Sequence, residues 1–395
     1  MAIPNPCRVV VLATHPIHYQ IQLYRRLGQV PGMDVTMLFC SRFGLNRQID
    51  PTFGFEVQWY DESILDGVKY KFLENPVWER GPTSVYPTIS PSVFKEITSH
   101  SYDVVLIQSY AGVTEWIAVA AAIKQSCRIL FRGETVLKSG SPHARDAFRW
   151  MPIKILAKWV SIFLPIGTRS REFYLYYGIP QERLVLSPYA VDNNYFFSQA
   201  SLCKNKKREL RESLGIDGEF PVVLFVSKMT PRKRPLDLLK AFETIQEHAF
   251  LLFVGDGPLR AEIESYVEAR QMRNVRFAGF QRQEDLSRFY AVGDIFVLPS
   301  EHEPWGLVIN EAMCFSLPII TTDGVASSAD LVKEDNGFVY EAGNVQALEA
   351  ALRVLVSDAE RRREMGRQSS KIVEGWDLDA SVRGICQGLS MAWAH

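Results

Sequence analysis

The chain has 395 residues, 47% hydrophobic and 23% charged, with a net charge of −1. That length exceeds one ordinary hydrophobic core, so two domains are expected, and the balanced charge gives no sign of a nucleic-acid partner. No apolar run approaches the roughly 18 residues that a membrane-spanning helix needs. Six scattered cysteines (7, 40, 127, 203, 314, 386), without a CxxC, read as reduced thiols rather than disulfides or zinc ligands. The opening MAIPNPCRVVVLATHP lacks a signal-peptide pattern, so a cytoplasmic location is expected, the inner face of a membrane included.

Short apolar runs alternate with amphipathic helical patterns along the chain. In the first half they are RVVVLA (8–13), DVTMLF (34–39), VVLIQ (104–108), RILFRG (128–133), IFLPIG (162–167) and LVLSPY (184–189). In the second half they are VVLFVS (222–227), FLLFVG (250–255), VRFAG (275–279), IFVLPS (295–300), PIITTD (318–323) and GFVY (337–340). Continuous Val/Ile/Leu/Phe runs are the mark of strands buried on both faces. Alternation with helices predicts parallel sheets with right-handed crossovers. A polar, charged break over 192–221 separates the halves. The fold class is therefore α/β, with two doubly wound, Rossmann-like domains facing a cleft. The expected boundaries are an N-terminal domain over 1–196, a linker over 197–210, and a C-terminal domain over 211–375. Open α/β sheets bind ligands beyond the carboxyl ends of their strands.

One such end carries the most chemistry. After IFVLPS comes EHEPWGLVINEA (301–312), in which Glu303 and Glu311 stand eight apart. LVINEAMCFS reads as a helix, so Gly306, Leu307 and Val308 are its start, where N–H groups lack partners and the dipole is positive. A diphosphate suits that position. The two acids then fit hydroxyl groups at the two ends of one diphosphate-linked ligand; a solvated helix start with scattered acids is the competing reading of the spacing alone. A metal site is disfavoured, because no His or Asp partner has suitable spacing. Lys228 and Lys233, after VVLFVS, are cations at another strand end. They suit a departing diphosphate.

These residues carry a family resemblance. EPWGLVINEA resembles the E-x7-E signature of retaining glycosyltransferases of family 4, which have the GT-B fold. VSKMTPRKRPLDLLKAF, FVGDGPLR, VRFAGF, IFVLPSEHEPWGLVINEAMCFSLPIITTDGVASSADLV and NGFVYEAGNVQALEAAL follow the family's order over about 220–350. The resemblance implies that Glu303 binds donor-sugar hydroxyls and Glu311 the ribose. It also implies that the N–H groups near Gly306, Leu307 and Val308 hold the diphosphate, and that Phe280 borders the base. The family usually has Arg where this chain has Lys228. A retaining, metal-independent hexosyl transfer follows from the resemblance, with a nucleoside-diphosphate sugar as co-substrate and no further cofactor. The terminal segment 376–395 is expected to cross back to the N-terminal domain.

The first half is less explicit. ATHPIHYQ lacks the glycines the family commonly has after its first strand and offers His15 and His18 instead; local hydrogen bonding is the competing reading. After RILFRG, Glu134 stands near where the family commonly presents a histidine, and is a candidate for sugar or acceptor contact. Aromatic residues are dense over 40–90 (Phe43, Phe53, Phe55, Trp59, Tyr60, Tyr70, Phe72, Trp78, Tyr86). They fit either acceptor stacking or, as the favoured reading, core packing. ARDAFRWMPIKILAKWVSIF (144–163) mixes Arg145, Arg149, Lys154 and Lys158 with apolar residues. It fits peripheral membrane contact, though a buried helix with one basic face is favoured. The expected acceptor is a saccharide or glycolipid, in particular a lipid-linked saccharide or polysaccharide precursor. The alternatives are a small soluble metabolite as acceptor, or a GT-B-fold nucleotide-sugar epimerase. A sugar-binding receptor is disfavoured by the Lys228/Lys233 pair, and a dinucleotide oxidoreductase by the lack of G-x-G-x-x-G after the first strand.

Overall fold

The chain divides into two compact units, Met1–Tyr189 with Leu378–His395, and Ala190–Asp377. The structure is a computed structural model and describes residues 4–50, 54–74, 89–137 and 150–394. The first unit holds β1 (Cys7–Ala13), β2 (Met33–Phe39), β3 (Lys69–Phe72), β4 (Val104–Ile107), β5 (Arg128–Phe131) and β6 (Ile162–Phe163). They lie in the order β3-β2-β1-β4-β5-β6. The second unit holds β7 (Val222–Val226), β8 (Phe250–Val254), β9 (Val275–Gly279), β10 (Ile295–Leu298), β11 (Ile319–Thr322) and β12 (Gly337–Tyr340). Their order, β9-β8-β7-β10-β11-β12, repeats that of the first sheet. All these neighbouring pairs are parallel. Each sheet thus reverses direction of growth once, between β1 and β4 and between β7 and β10. Loops leaving those strands open a crevice at such a switch point.

The central strands are apolar because helices cover both their faces. VVLFV of β7 and FLLFV of β8 are buried at every position. The edge strand β3, KYKF, is the opposite case: its side chains are exposed or partly buried, and no apolar run announces it. It pairs with β2 while Lys69 meets Asp34 and Lys71 meets Glu96, each at 2.5 Å. Lysines on an edge strand discourage further pairing.

Two expectations need correction. LVLSPY over 184–189 is not a full strand: Leu184 bridges to Phe163, and Val185, Ser187 and Tyr189 donate to the carbonyls of Phe163, Pro165 and Ile166. Pro165 and Pro188 have no N–H, which interrupts a regular ladder. The expected linker over 197–210 is packed helix, Asn193–Lys204 followed by Lys207–Ser213, within the second unit. Asp192 caps the first of these by accepting from Tyr195 N–H at 3.1 Å. Phe196 is buried with its ring 6.5 Å from that of Phe315. The polar composition that suggested a linker belongs to two helices that bury only Asn193 and Phe196. The boundary between units falls at 189/190, and the terminal helix Leu378–Ala394 belongs to the first unit. There Arg26 holds Asp379 at 2.6 Å, and Val382, Ile385 and Leu389 enter the core beside β1.

Candidate functional site

In the second unit the switch point brings together the loops after β7 and β10, which are paired neighbours. Glu301 N–H donates to Arg232 O at 2.9 Å, tying the loops directly. Glu303 is fixed from a third side by the loop after β11: its N–H donates to Gly324 O and its carbonyl accepts from Ala326 N–H, both at 3.0 Å. The Glu303 carboxyl is buried. One of its oxygens, Oε1, lies 2.5 Å from Lys233 Nζ and 2.5 Å from Arg232 Nη1. Burial pulls the Lys233 ammonium below the usual lysine range; Glu303 opposes this, while the charges of Arg232 and Lys228 add to it. Two cations therefore converge on one carboxylate, with the charge of Lys228 also acting on Lys233, which leaves a positive excess around a single anionic side chain.

The neighbouring turn supplies more. Gly306 has φ +92°, and a Cβ there would lie 3.1 Å from Leu298 and 3.2 Å from Val325. Glycine is required at this crowded left-handed position. It turns the chain into the helix Val308–Cys314, with Leu307 as the residue before it. The turn is braced by Trp305, buried, whose indole N–H donates to Asn310 Oδ1 at 2.9 Å and whose ring lies 5.2 Å from that of Trp376.

Glu311 sits inside that helix, buried. Tyr290 OH donates to Oε2 at 2.6 Å and Gln283 Nε2 to Oε1 at 2.9 Å. Burial pushes its carboxyl up to about 7, and the two hydrogen bonds work against that. A carboxylate has about four acceptor positions, so two remain for hydroxyl donors. Phe280, partly buried after β9, begins the loop that carries Gln283 to Glu311. The raised value has a consequence for stability. The folded chain holds this proton more tightly than the unfolded chain, whose carboxyl titrates near 4.5. The stabilisation is therefore complete below 4.5 and is lost as pH rises through about 7. Glu311→Gln is expected to flatten that slope, by up to about 3 kcal/mol between the two limits. Urea denaturation of both proteins across this range checks it; parallel curves would contradict the assignment.

In the first unit, the loops after β1, β4 and β5 surround a cavity of about 450 Å³. Thr14, Gln108, Tyr110, Glu115, Glu134 and Thr135 are among its lining residues. Glu134 is exposed to it and accepts from Tyr19 OH at 3.3 Å and from Tyr189 OH. Burial, then the Glu134 charge, pushes both phenols well above their ordinary value. Glu115 is buried on the helix Val113–Lys124, and among the described residues its Oε2 has no hydrogen-bond partner. Burial raises its carboxyl. His15 and His18 are not among the lining residues. His15 Nδ1 meets Thr14 Oγ1 at 2.9 Å, its ring packs edge-on to Phe43 at 5.1 Å, and burial pushes it down to about 4. His18 opens the helix His18–Gly28, meets Gln22 at 3.1 Å and stacks on Tyr60 at 6.2 Å. Both histidines make the local contacts that were their competing reading.

Of the aromatic stretch, Phe43, Trp59, Tyr60 and Phe72 are partly buried and Phe55 and Tyr70 exposed, so the core reading does not hold for these two. Phe53, Trp78, Tyr86, Arg145 and Arg149 lie outside the described residues. Among the described residues no group of three or more His, Cys, Asp or Glu converges as metal ligands do, and no helix is long and apolar enough to cross a membrane. Arg232, Gln283, Tyr290 and Glu115 were not singled out from sequence. Arg232 stands beside Lys233 and was the one with a visible signal; the others meet their partners only through the fold.

Residues 206–372 match the family model of glycosyl transferases group 1. The chain has the GT-B fold: a glycosyltransferase from Rickettsia africae superposes with a TM-score of 0.75 over 98% of both chains, at 15% identity. Anabaena HepE, solved with UDP and glucose, superposes with a TM-score of 0.73 over 97% of this chain and 99% of that one, at 17% identity. The chain is also similar to the sulfoquinovosyl transferase of Arabidopsis thaliana, 28% identical over 321 residues, which are 78% of this chain and 60% of that protein. Other curated relatives are matched over about half their length. The second unit thus carries a group 1 glycosyltransferase domain, in agreement with the resemblance read from its motifs.

Proposed function

We propose that the chain is a retaining, metal-independent glycosyltransferase that moves a hexose from a nucleoside-diphosphate sugar to a hydroxyl acceptor. The observation that carries this reading is the convergence of Lys233 and Arg232 on Glu303, with Lys228 close by, beside the helix start at Gly306. A diphosphate fits the positive excess. Lys233 and the N–H groups of Gly306, Leu307 and Val308 would bind it and stabilise charge as it leaves. Glu303 would hold hydroxyls of the sugar, and Glu311 those of the ribose. The bond from the anomeric carbon to the diphosphate breaks and a bond to the acceptor oxygen forms on the same face. The acceptor proton passes to the leaving phosphate.

We assign the acceptor to the cavity of the first unit, with Glu134 and the buried Glu115 as its polar contacts; a saccharide or lipid-linked saccharide is the class proposed. HepE was solved with UDP, so UDP-sugars are the first donors to test. Thermal stabilisation by UDP-, GDP- and ADP-sugars in EDTA tests the reading. One series at 100 times its dissociation constant should add about 2.7 kcal/mol. No stabilisation by any of them, or stabilisation only with added divalent metal, would contradict it. Release of free nucleoside diphosphate separates transfer from epimerisation.

A further inference from the structure

The cavity of the first unit carries negative charge that the transfer step leaves unused. Among the described residues that line it, Glu115 and Glu134 are the charged ones, and no lysine, arginine or histidine accompanies them. The other polar side chains there, Thr14, Gln108 and Thr135 among them, are neutral. Hydroxyl groups of a sugar are served by such neutral partners. Two carboxylates ask for something more.

Glu115 is the sharper case. It is 6% exposed, and among the described residues its Oε2 accepts no hydrogen bond. The carboxyl folds back over the start of its own helix: a Cβ at Gly112, the residue before Val113, would lie 2.2 Å from Oε2 and 3.3 Å from Oε1. A helix start would otherwise attract an anion. Here the protein's own carboxylate takes that place, so a phosphate or carboxylate on a ligand would meet repulsion. Burial raises the carboxyl, and its own backbone N–H opposes the shift. A buried carboxylate without a partner is costly, and an ammonium brought against it relieves that cost more than a neutral hydroxyl does.

Glu134 is partly provided for. Tyr19 and Tyr189 both donate to its Oε1. On the ring of that Tyr189 lies the Arg132 guanidinium, 5.1 Å from the centroid, 3% exposed and held by Ser187 Oγ and Pro188 O at 3.0 Å each. One buried cation thus stands near the Glu134 pair, and it offsets one negative charge at most. The charge of Glu115 remains.

We propose that the acceptor carries a protonated amino group, which Glu115 receives inside this cavity. The class is an amine-bearing saccharide that reacts through a hydroxyl while its ammonium stays paired with the carboxylate. Glu115 is then a specificity residue, which selects the acceptor and makes no bond to the reacting atoms. The proposal rests on the reading of this cavity as the acceptor site.

Ligand-observed NMR titration of the full chain with the methyl glycosides of glucosamine, glucose, N-acetylglucosamine and glucuronic acid tests it. The glucosamine glycoside is expected to bind about tenfold or more tighter than the glucose and N-acetylglucosamine glycosides, and the glucuronic acid glycoside most weakly. Glu115→Gln keeps the shape and removes the charge. It should cut the amine preference to about twofold or less while moving the glucose glycoside little. Glu134→Gln should cut it less, because Arg132 already lies near that carboxylate. The comparison of glycosides on the parent chain needs no variant, so it decides the amine class even where a substitution impairs folding. Equal binding of the amine and neutral glycosides, all weakened by a cavity-filling Thr135→Trp, would overturn the amine assignment and leave the acceptor cavity standing. An amine preference undiminished in a folded Glu115→Gln variant would do the same. No binding of any glycoside, or binding indifferent to Thr135→Trp, would overturn the acceptor-cavity reading and this proposal with it.

Discussion

Replacing Glu303 with glutamine is expected to lower turnover about a hundredfold or more, a loss of order 2.7–4 kcal/mol in transition-state stabilisation. Glutamine keeps the size of the side chain and removes its charge. In the structure that charge is paired through one oxygen, Oε1, with both Lys233 and Arg232. Its proposed second task, holding donor hydroxyls as the sugar becomes cationic, matters most in the transition state. The donor dissociation constant should therefore move much less than turnover. Initial-rate kinetics beside calorimetric donor titration separate the two. Near-parent turnover would remove Glu303 from its assigned role. Because the exchange leaves a buried lysine with a weaker partner, a thermal melt of the variant is the control for folding.

Lys233→Ala should have an effect of similar size but a different signature. The side chain is only 13% exposed, so its ammonium is held in a site where charge is poorly screened. Removing it should weaken the free nucleoside diphosphate about tenfold or more and lower transfer about a hundredfold. Lys233→Arg should keep part of both, since it restores the charge with a different shape. Unchanged affinity together with an unchanged transfer rate in Lys233→Ala would contradict the assignment. Glu303 and Lys233 are in contact, so their effects should not add; a double variant close to the worse single one is expected.

The fold was legible where burial leaves a one-dimensional trace. VVLFV and FLLFV could only be inner strands, and the two sheets followed from their alternation with helices. KYKF left no trace, because an edge strand answers to its one neighbour and to solvent. The helices over 193–213 were missed for a related reason: they bury only Asn193 and Phe196, and polar composition alone does not separate such helices from a linker.

The site was legible in pieces. Glu303, Glu311, Gly306 and Lys233 stood out by type and by their position after strands. Their assembly did not. Lys233 and Glu303 lie 2.5 Å apart but seventy positions apart in the chain, and only the pairing of β7 with β10 brings them together. Tyr290 and Gln283 reach Glu311 in the same way. Glu115 gave no signal at all, since one glutamate in the first turn of a helix is an ordinary surface residue until its burial is known.

The central claim is that the turn at Gly306, with Lys233, seats a diphosphate whose two ends run to Glu303 and Glu311. A crystal structure of the chain with the nucleoside diphosphate that best stabilises it tests this most directly. The expected result has phosphate oxygens within hydrogen-bond distance, about 2.7–3.2 Å, of Lys233 Nζ and of the N–H groups of Gly306, Leu307 and Val308, with the ribose hydroxyls on Glu311. A nucleotide bound elsewhere on the chain, or at this turn with its ribose directed away from Glu311, would contradict it.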